Sequence, residues 1–334
     1  MKTYKFLLVA LIATGVFSAC TNDDGVPAAV KVGSEISFRL QGGTPEVTTR
    51  ALATTINNLE AFVVFGTDNV LASSGLLFNG MTVARQFGGT TFAYAPKAYY
   101  SAAATSAGFY AFSPVSAKLT GAVTIPSTIL TTGISFGYTV PVPDNTGDAV
   151  QEDLLVAGTA VPTAALISSV SLNFKHALSR IFVTATNTTA DPVIIKELTL
   201  KNLLTTGTIT VGPASAISWA PTTPRDDYAY ILAPSGVVVP GGTLTKAYVT
   251  SMEQGMMVLP QPTVNTSSAN DFSLEILYDF ANLTNQTQSI KLTNGYSFTA
   301  GQQYTININF AGGLQPIEFT ITVDPFNPLI NELP

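Results

Sequence analysis

The apolar residues of this chain recur at every second position over short segments, and nowhere at the spacing of a long helix. Val170-Leu172-Phe174, Leu274-Ile276-Tyr278-Phe280 and Tyr304-Ile306-Ile308-Phe310 each keep their apolar side chains on one parity. A period of two puts those side chains on one face of a strand and the polar ones on the other. Gly, Pro, Asn or Asp separates the segments, as in sandwiches and barrels. Leu59-Glu60-Ala61-Phe62-Val63-Val64-Phe65 is more continuously apolar and reads as a strand buried on both faces. The fold class is all-β.

Only 11% of the residues are charged, against about 25% in a typical globular chain. Thr, Ser, Asn and Gln carry much of the wet surface instead, and abundant Val, Ile, Phe and Tyr favour strands. The net charge is −6 and the basic residues are scattered, which argues against nucleic acid as a partner. With one cysteine there is no disulfide framework, so stability must come from the core.

Lys2 and Lys5 precede an uncharged run from Phe6 to Phe17, closed by Ser18-Ala19-Cys20. A short basic region, an apolar stretch too short to cross a bilayer and small residues before a break describe a secretory signal over residues 1–19. Cys20 then reads as the lipidated first residue of the mature protein, anchored to a membrane without spanning it. Thr21-Asn22-Asp23-Asp24-Gly25 follows as a polar, acidic tether. It resembles the signal that carries some lipoproteins to the outer face of the outer membrane.

The mature part is long enough for two domains. Pro141-Val142-Pro143-Asp144-Asn145-Thr146-Gly147-Asp148 reads as an exposed loop, and Leu154-Leu155-Val156-Ala157-Gly158 as a return to strand. Gly158-Thr159-Ala160-Val161-Pro162-Thr163 reads as a hinge, with a fresh run of alternating strands beyond it. The expected boundary lies near residue 165, between an N-terminal β-sandwich over 51–165 and a C-terminal one over 166–315.

Enzyme chemistry is hard to find. His176, the one histidine, shares parity with Val170, Leu172 and Phe174 and reads as a satisfied, half-buried residue. Asp23-Asp24, Glu152-Asp153 and Asp226-Asp227 are pairs, read as solvated turns or tether; metal sites want clusters. The Gly-Gly pairs at Gly42, Gly88, Gly241 and Gly312 lack the setting of a phosphate loop and read as turns. Tyr99-Tyr100 and Trp219 could form a sugar-binding platform, but aromatics in a sheet protein more often belong to the core. No catalytic residue, metal or cofactor is expected.

The two ends of the chain carry matching strands. Ile36-Ser37-Phe38-Arg39-Leu40 puts Ile36, Phe38 and Leu40 on one face. Ile317-Glu318-Phe319-Thr320-Ile321-Thr322-Val323 alternates without a break. Between the first strand and the sandwich, Gln41-Gly42-Gly43-Thr44-Pro45 and Glu46-Val47-Thr48-Thr49-Arg50-Ala51 offer a flexible, basic site for a protease. Suppose the first strand fills a groove in the N-terminal sandwich. A cut between Arg50 and Ala51 would leave it held non-covalently, and its loss would expose an apolar trough. Ile317, Phe319, Ile321 and Val323 of another copy have the parity to fill that trough. Burying four such side chains is worth up to about 6–12 kcal/mol before ordering costs. The contact would be head to tail and would grow a filament. The alternative is that the last strand completes its own sandwich and the first is never removed. A third reading is a monomeric surface lipoprotein that binds glycan or a host protein.

A set of segments in order carries a resemblance. They are the stretch ending at Cys20, Thr48-Thr49-Arg50-Ala51, and Asp153-Leu154-Leu155-Val156-Ala157. Leu172-Asn173-Phe174-Lys175-His176-Ala177-Leu178-Ser179-Arg180-Ile181, Phe298-Thr299-Ala300-Gly301-Gln302-Gln303-Tyr304 and Phe319-Thr320-Ile321-Thr322-Val323 complete it. The chain resembles the fimbrillins, lipoprotein precursors of type V pili in Bacteroidales-type bacteria. The resemblance implies two tandem transthyretin-like β-sandwiches. It also implies cleavage after Arg50 by an Arg-specific protease, removing residues 20–50. Its further implication is donor-strand assembly with identical or related pilin subunits through residues 316–334, Phe326 and Ile330 adding anchors. Arg50 together with an intact alternating C-terminus points to a stalk-like subunit, first on the outer membrane and then in an extracellular pilus.

Overall fold

The computed structural model describes residues 35–40, 59–72, 75–86, 91–117, 119–141, 151–159, 166, 169–232, 235–250, 255–262, 272–291, 297–311 and 318–325. The architecture is all-β, as the alternation requires. In the first half the strands are β1 (Ser37–Leu40), β2 (Ala61–Asp68), β3 (Phe78–Arg85), β4 (Phe92–Ala93), β5 (Ala107–Ser113), β6 (Ile134–Thr139), β7 (Leu155–Gly158), β8 (Ser169–Leu172) and β9 (Lys175–His176). In the second half they are β10 (Ser179–Asn187), β11 (Val193–Gly212), β12 (Ala216–Ile231), β13 (Val237–Val239), β14 (Thr243–Tyr248), β15 (Met256–Val258), β16 (Gln261–Pro262), β17 (Ser273–Phe280), β18 (Leu283–Lys291), β19 (Ser297–Phe298), β20 (Gln302–Phe310) and β21 (Glu318–Pro325). Among the described residues a four-residue α-helix, Ile129–Thr132, and a 3-10 turn, Pro213–Ser215, interrupt them.

Five sheets result. A six-stranded sheet runs β4-β3-β2-β5-β7-β9, and a two-stranded one pairs β1 with β8. In the second half, β12-β11-β17-β18 form one sheet, with β13 and β6 also on β11. The facing sheet runs β14-β10-β20-β21, with β15 on β10, and β16 pairs with β19. The expected division near residue 165 falls between β7 and β8. Yet β8 pairs with β1 and β9 with β7, while β6 from the first half pairs with β11 of the second.

The continuous apolar run of β2 explains itself in this arrangement. Phe62 and Val64 point into one core, shared with β1, β8 and the facing side of β5. Val63 and Phe65 point into the other core, which extends into the second half. β5 and β7 alternate in the same way, so the central sheet is buried on both faces. The halves are also stitched at the tip of the β11–β12 hairpin, where the Ser215 hydroxyl accepts from the Gly158 N–H at 3.0 Å and donates to the Asn173 carbonyl at 2.7 Å.

Buried tyrosines make this fold sensitive to alkali. Burial pushes the Tyr110 phenol up to about 12, and raises Tyr100, Tyr138 and Tyr228 for the same reason. In the unfolded chain these phenols lose their protons near pH 10, so above that pH the unfolded state binds fewer protons than the folded one. Stability is therefore expected to decline as pH rises from about 10. Urea titrations at stepped alkaline pH, read by circular dichroism, should show a falling midpoint with the buried tyrosinate signal appearing only on unfolding.

Candidate functional site

β1 sits where the sequence places a removable strand, and its side chains are the centre of the first core. Phe38 is 5% exposed and is enclosed by four rings. Their centroids lie 5.2 Å away for Phe78, 5.7 Å for Phe109, and 5.9 Å for both Phe62 and Tyr94. All four contacts are edge-on, the favoured arrangement for aromatic pairs. Phe109 reaches this cage because Gly66 lies beneath it; a Cβ there would stand 2.3 Å from the Phe109 ring. Ile36 is fully buried and Leu40 half-buried.

The backbone of β1 is held on both sides. Along one edge it runs parallel to β8, in register from Ser37 with Ser169 to Leu40 with Leu172. Along the other, the Ile36 N–H donates to the Ala98 carbonyl at 3.0 Å, and the Tyr94 hydroxyl donates to the Ile36 carbonyl. Burial raises the Tyr94 pKa, so that hydroxyl keeps its proton and remains a donor. The outward residues do less. Arg39 Nε donates to Ser171 Oγ at 2.5 Å on an exposed surface, and Glu35 meets Lys97 in an exposed ion pair at 2.5 Å. The grip on β1 is thus apolar and short, four residues of ladder around one ring.

The C-terminal strand occupies a different kind of place. β21 lies antiparallel on β20, with Val323 opposite Tyr304, Ile321 opposite Ile306 and Phe319 opposite Ile308. Among the described residues it is the outermost strand of its sheet. Ile321 packs against the second core, but Val323 is 50% exposed and Thr320 and Thr322 face solvent. Ile317 and Phe326 lie outside the described residues, as do Cys20, Arg50 and Ala51.

A family model described as fimbrillin-like matches residues 49–325. The chain belongs to that fimbrillin-like family. The matched stretch leaves β1 outside and takes in β21 whole. Among solved structures, a fimbrial protein from Bacteroides vulgatus is similar over 88% of this chain and 100% of its own, at 13% identity and a TM-score of 0.61. A candidate cell adhesion protein from Bacteroides uniformis is similar over 88% and 99%, at 15% identity and a TM-score of 0.55. At these identities the likeness shows the fold. No curated protein matches the chain.

The rest of this fimbrillin-like chain offers structure where the sequence left chemistry open. Glu152-Asp153 is not a solvated pair: Asp153 is 3% exposed and accepts from His176 Nδ1 across 2.7 Å. Fully buried Arg180 stands nearby over the Phe182 ring, its pKa pulled down to about 10 by burial against the opposing pull of Asp153. Asp153 precedes β7, His176 ends β9 and Arg180 is the second residue of β10, so the group pins the crossing from one core to the other. Asp226-Asp227 lies within β12 rather than a turn, with Asp227 3.0 Å from Lys201 Nζ. Tyr100 belongs to the first core, while the Trp219 Nε1–H donates to the Ala177 carbonyl at 2.7 Å and packs on the second, so they build no common platform. Among the described residues no group of three His, Cys, Asp or Glu could hold a metal.

Phe38→Ala tests the weight of the cage. In the uncut chain it is expected to lower stability by about 3–5 kcal/mol, the usual cost of emptying an aromatic core site. Chemical denaturation of the two proteins gives the difference; a change below about 1 kcal/mol would mean that β1 is an ornament on a core that stands without it.

Proposed function

We propose that this chain is the lipoprotein precursor of a pilus subunit, of stalk type, that polymerises when its leader strand is replaced by the C-terminal strand of another copy. Family membership supports a pilus or adhesion subunit at the cell surface and a structural rather than a catalytic role. The observation that carries the finer reading is the caged Phe38. A chain that needed no exchange would have little reason to seat its central core ring on a strand followed by a Gly- and Pro-containing stretch that ends in Arg50-Ala51.

The sequence of events follows from the energetics. Cys20 carries the lipid and holds the precursor on the outer membrane. An Arg-specific protease cuts between Arg50 and Ala51, and the released leader takes Ile36, Phe38 and Leu40 with it. Among the described residues β8 has no strand partner besides β1, so the emptied slot exposes unpaired backbone groups as well as four ring edges. Both are costly in water. The tail, meanwhile, rests on an open sheet edge with Val323 half in solvent. Moving it from its own edge into another copy's enclosed slot gains apolar burial at each junction, and the head-to-tail geometry does not close. The mature subunit would keep two tandem transthyretin-like sandwiches, with Phe326 extending the donor segment.

Two variants separate the steps. Arg50→Ala should fold and reach the surface yet remain uncut and monomeric on treatment with trypsin, whereas the wild-type chain is shortened and forms multimers visible by gel filtration. A chain ending at Pro316 should be cut normally, accept a donor and terminate growth, lowering mean filament length in proportion to its share of the mixture. Normal filaments from Arg50→Ala, or unfolding of the truncated chain, would contradict the assignment of either end.

A further inference from the structure

Most sheet edges of this fold are guarded. β12 carries Pro221 and Pro224 followed by Arg225-Asp226-Asp227, and β21 carries Glu318, Asp324 and Pro325. β14 carries Lys246, and the outer side of β6 is bridged by Leu119 and Thr124. β4 and β9 have two residues each, β13 and β15 three. Short edges, charges and prolines are the devices that stop a sheet from pairing with another chain. β18 lacks all of them. It is nine residues long, contains no proline and holds no charge before Lys291. Among the described residues it is the last strand beyond β17, so one row of its backbone N–H and C=O groups has no strand beside it.

The regular part of β18 runs from Gln286, opposite Tyr278, to Lys291, opposite Ser273. Toward the turn it stops at Asn285, which takes a φ of 54° and gives its N–H to Asp279 Oδ1 at 2.7 Å. Ile290 is buried in the second core, and Gln286 and Gln288 share its face half-buried. Thr287 and Ser289 are exposed on the other face. We propose that this edge takes β18 of a second copy, the two strands antiparallel about a two-fold axis through Gln288, and that the contact joins subunits side by side.

The occupant follows from complementarity. An uncharged edge has nothing to offer a charged partner, whereas the two-fold pairs like with like. Gln288 meets its own copy, whose amide both donates and accepts. Thr287 meets Ser289 twice, a hydroxyl pairing favoured across strands. Gln286 lays its methylenes along Ile290 of the other copy. The two Lys291 lie at opposite ends of the ladder, so no like charges face each other. The interface is isologous and closed, and small for a single pair of subunits. Repeated along two filaments it multiplies through effective concentration, so its consequence is lateral bundling. The contact needs neither cleavage nor a free tail, so it stands or falls apart from strand replacement.

Cross-linking tests this in the full chain carrying Arg50→Ala, which blocks processing, and Cys20→Ser, which removes its one cysteine. In that background Gln288→Cys is expected to give a disulfide-linked dimer under mild oxidation, because the axis sets residue 288 directly across from its own copy. Gln286→Cys lies on the same face but is displaced along the strand, and should give at least about tenfold less. Adding Thr287→Lys and Ser289→Lys to Gln288→Cys sets lysine opposite lysine twice and should lower the dimer yield at least about tenfold. Both positions are exposed, so the urea midpoint should stay where it was. A yield from Gln286→Cys equal to or above that from Gln288→Cys would overturn the register. No dimer from either cysteine, or a yield that the two lysines leave unchanged, would overturn pairing through β18.

Discussion

One phenyl ring holds the first core together. Phe38 fills the space between Phe62, Phe78, Tyr94 and Phe109, and these come from β2, β3, β5 and the loop after β4. Each of those elements contacts the others partly through it. The ring is delivered by a four-residue strand whose remaining bonds are one short ladder and two contacts near Ile36. Much apolar burial thus depends on little backbone. That imbalance is what the proposed exchange would exploit: the strand supplies the ring the core needs while little backbone holds it.

The rest of the architecture stabilises what must not change during such an exchange. β2, β5 and β7 are buried on both faces, so the six-stranded sheet behind the slot is shared between two cores. The β11–β12 hairpin tip and the Asp153–His176 pair tie that sheet to the second half. β10 and β20 pair in parallel over eight residues, and the tail lies on the outer side of β20. An edge strand can leave without disturbing the sheet beneath, because it contributes to a single ladder. The tail therefore sits where its removal costs the remaining fold little, whereas removal of β1 empties the cage of the first core.

Much of this was legible in the residues. Strand-rich alternation gave the all-β class, and the unbroken apolar run of Leu59–Phe65 was buried on both faces, as its composition required. The alternation of Ile36–Leu40 gave β1 and its inward face. Other features were not legible for physical reasons. Parallel pairing of β1 with β8 joins residues more than a hundred positions apart, and period-two patterning carries no information about partners. Asp153 looked like half of a surface pair because its burial depends on His176 and Arg180, which arrive from later strands. The crossing between cores at residues 176–179 was hidden as well. Gly158–Thr163 has the composition of a hinge, yet β8 and β9 beyond it return to the first half.

The central claim is that one slot is held by two strands in succession. The density beside β8 in a filament grown from the trypsin-cut chain tests it most directly. The account expects a strand there with a phenyl ring between Phe62, Phe78, Tyr94 and Phe109, continuous with the body of the neighbouring subunit. A filament in which that strand traces back to residues 36–40 of the same subunit, or in which the cage is empty, would contradict it.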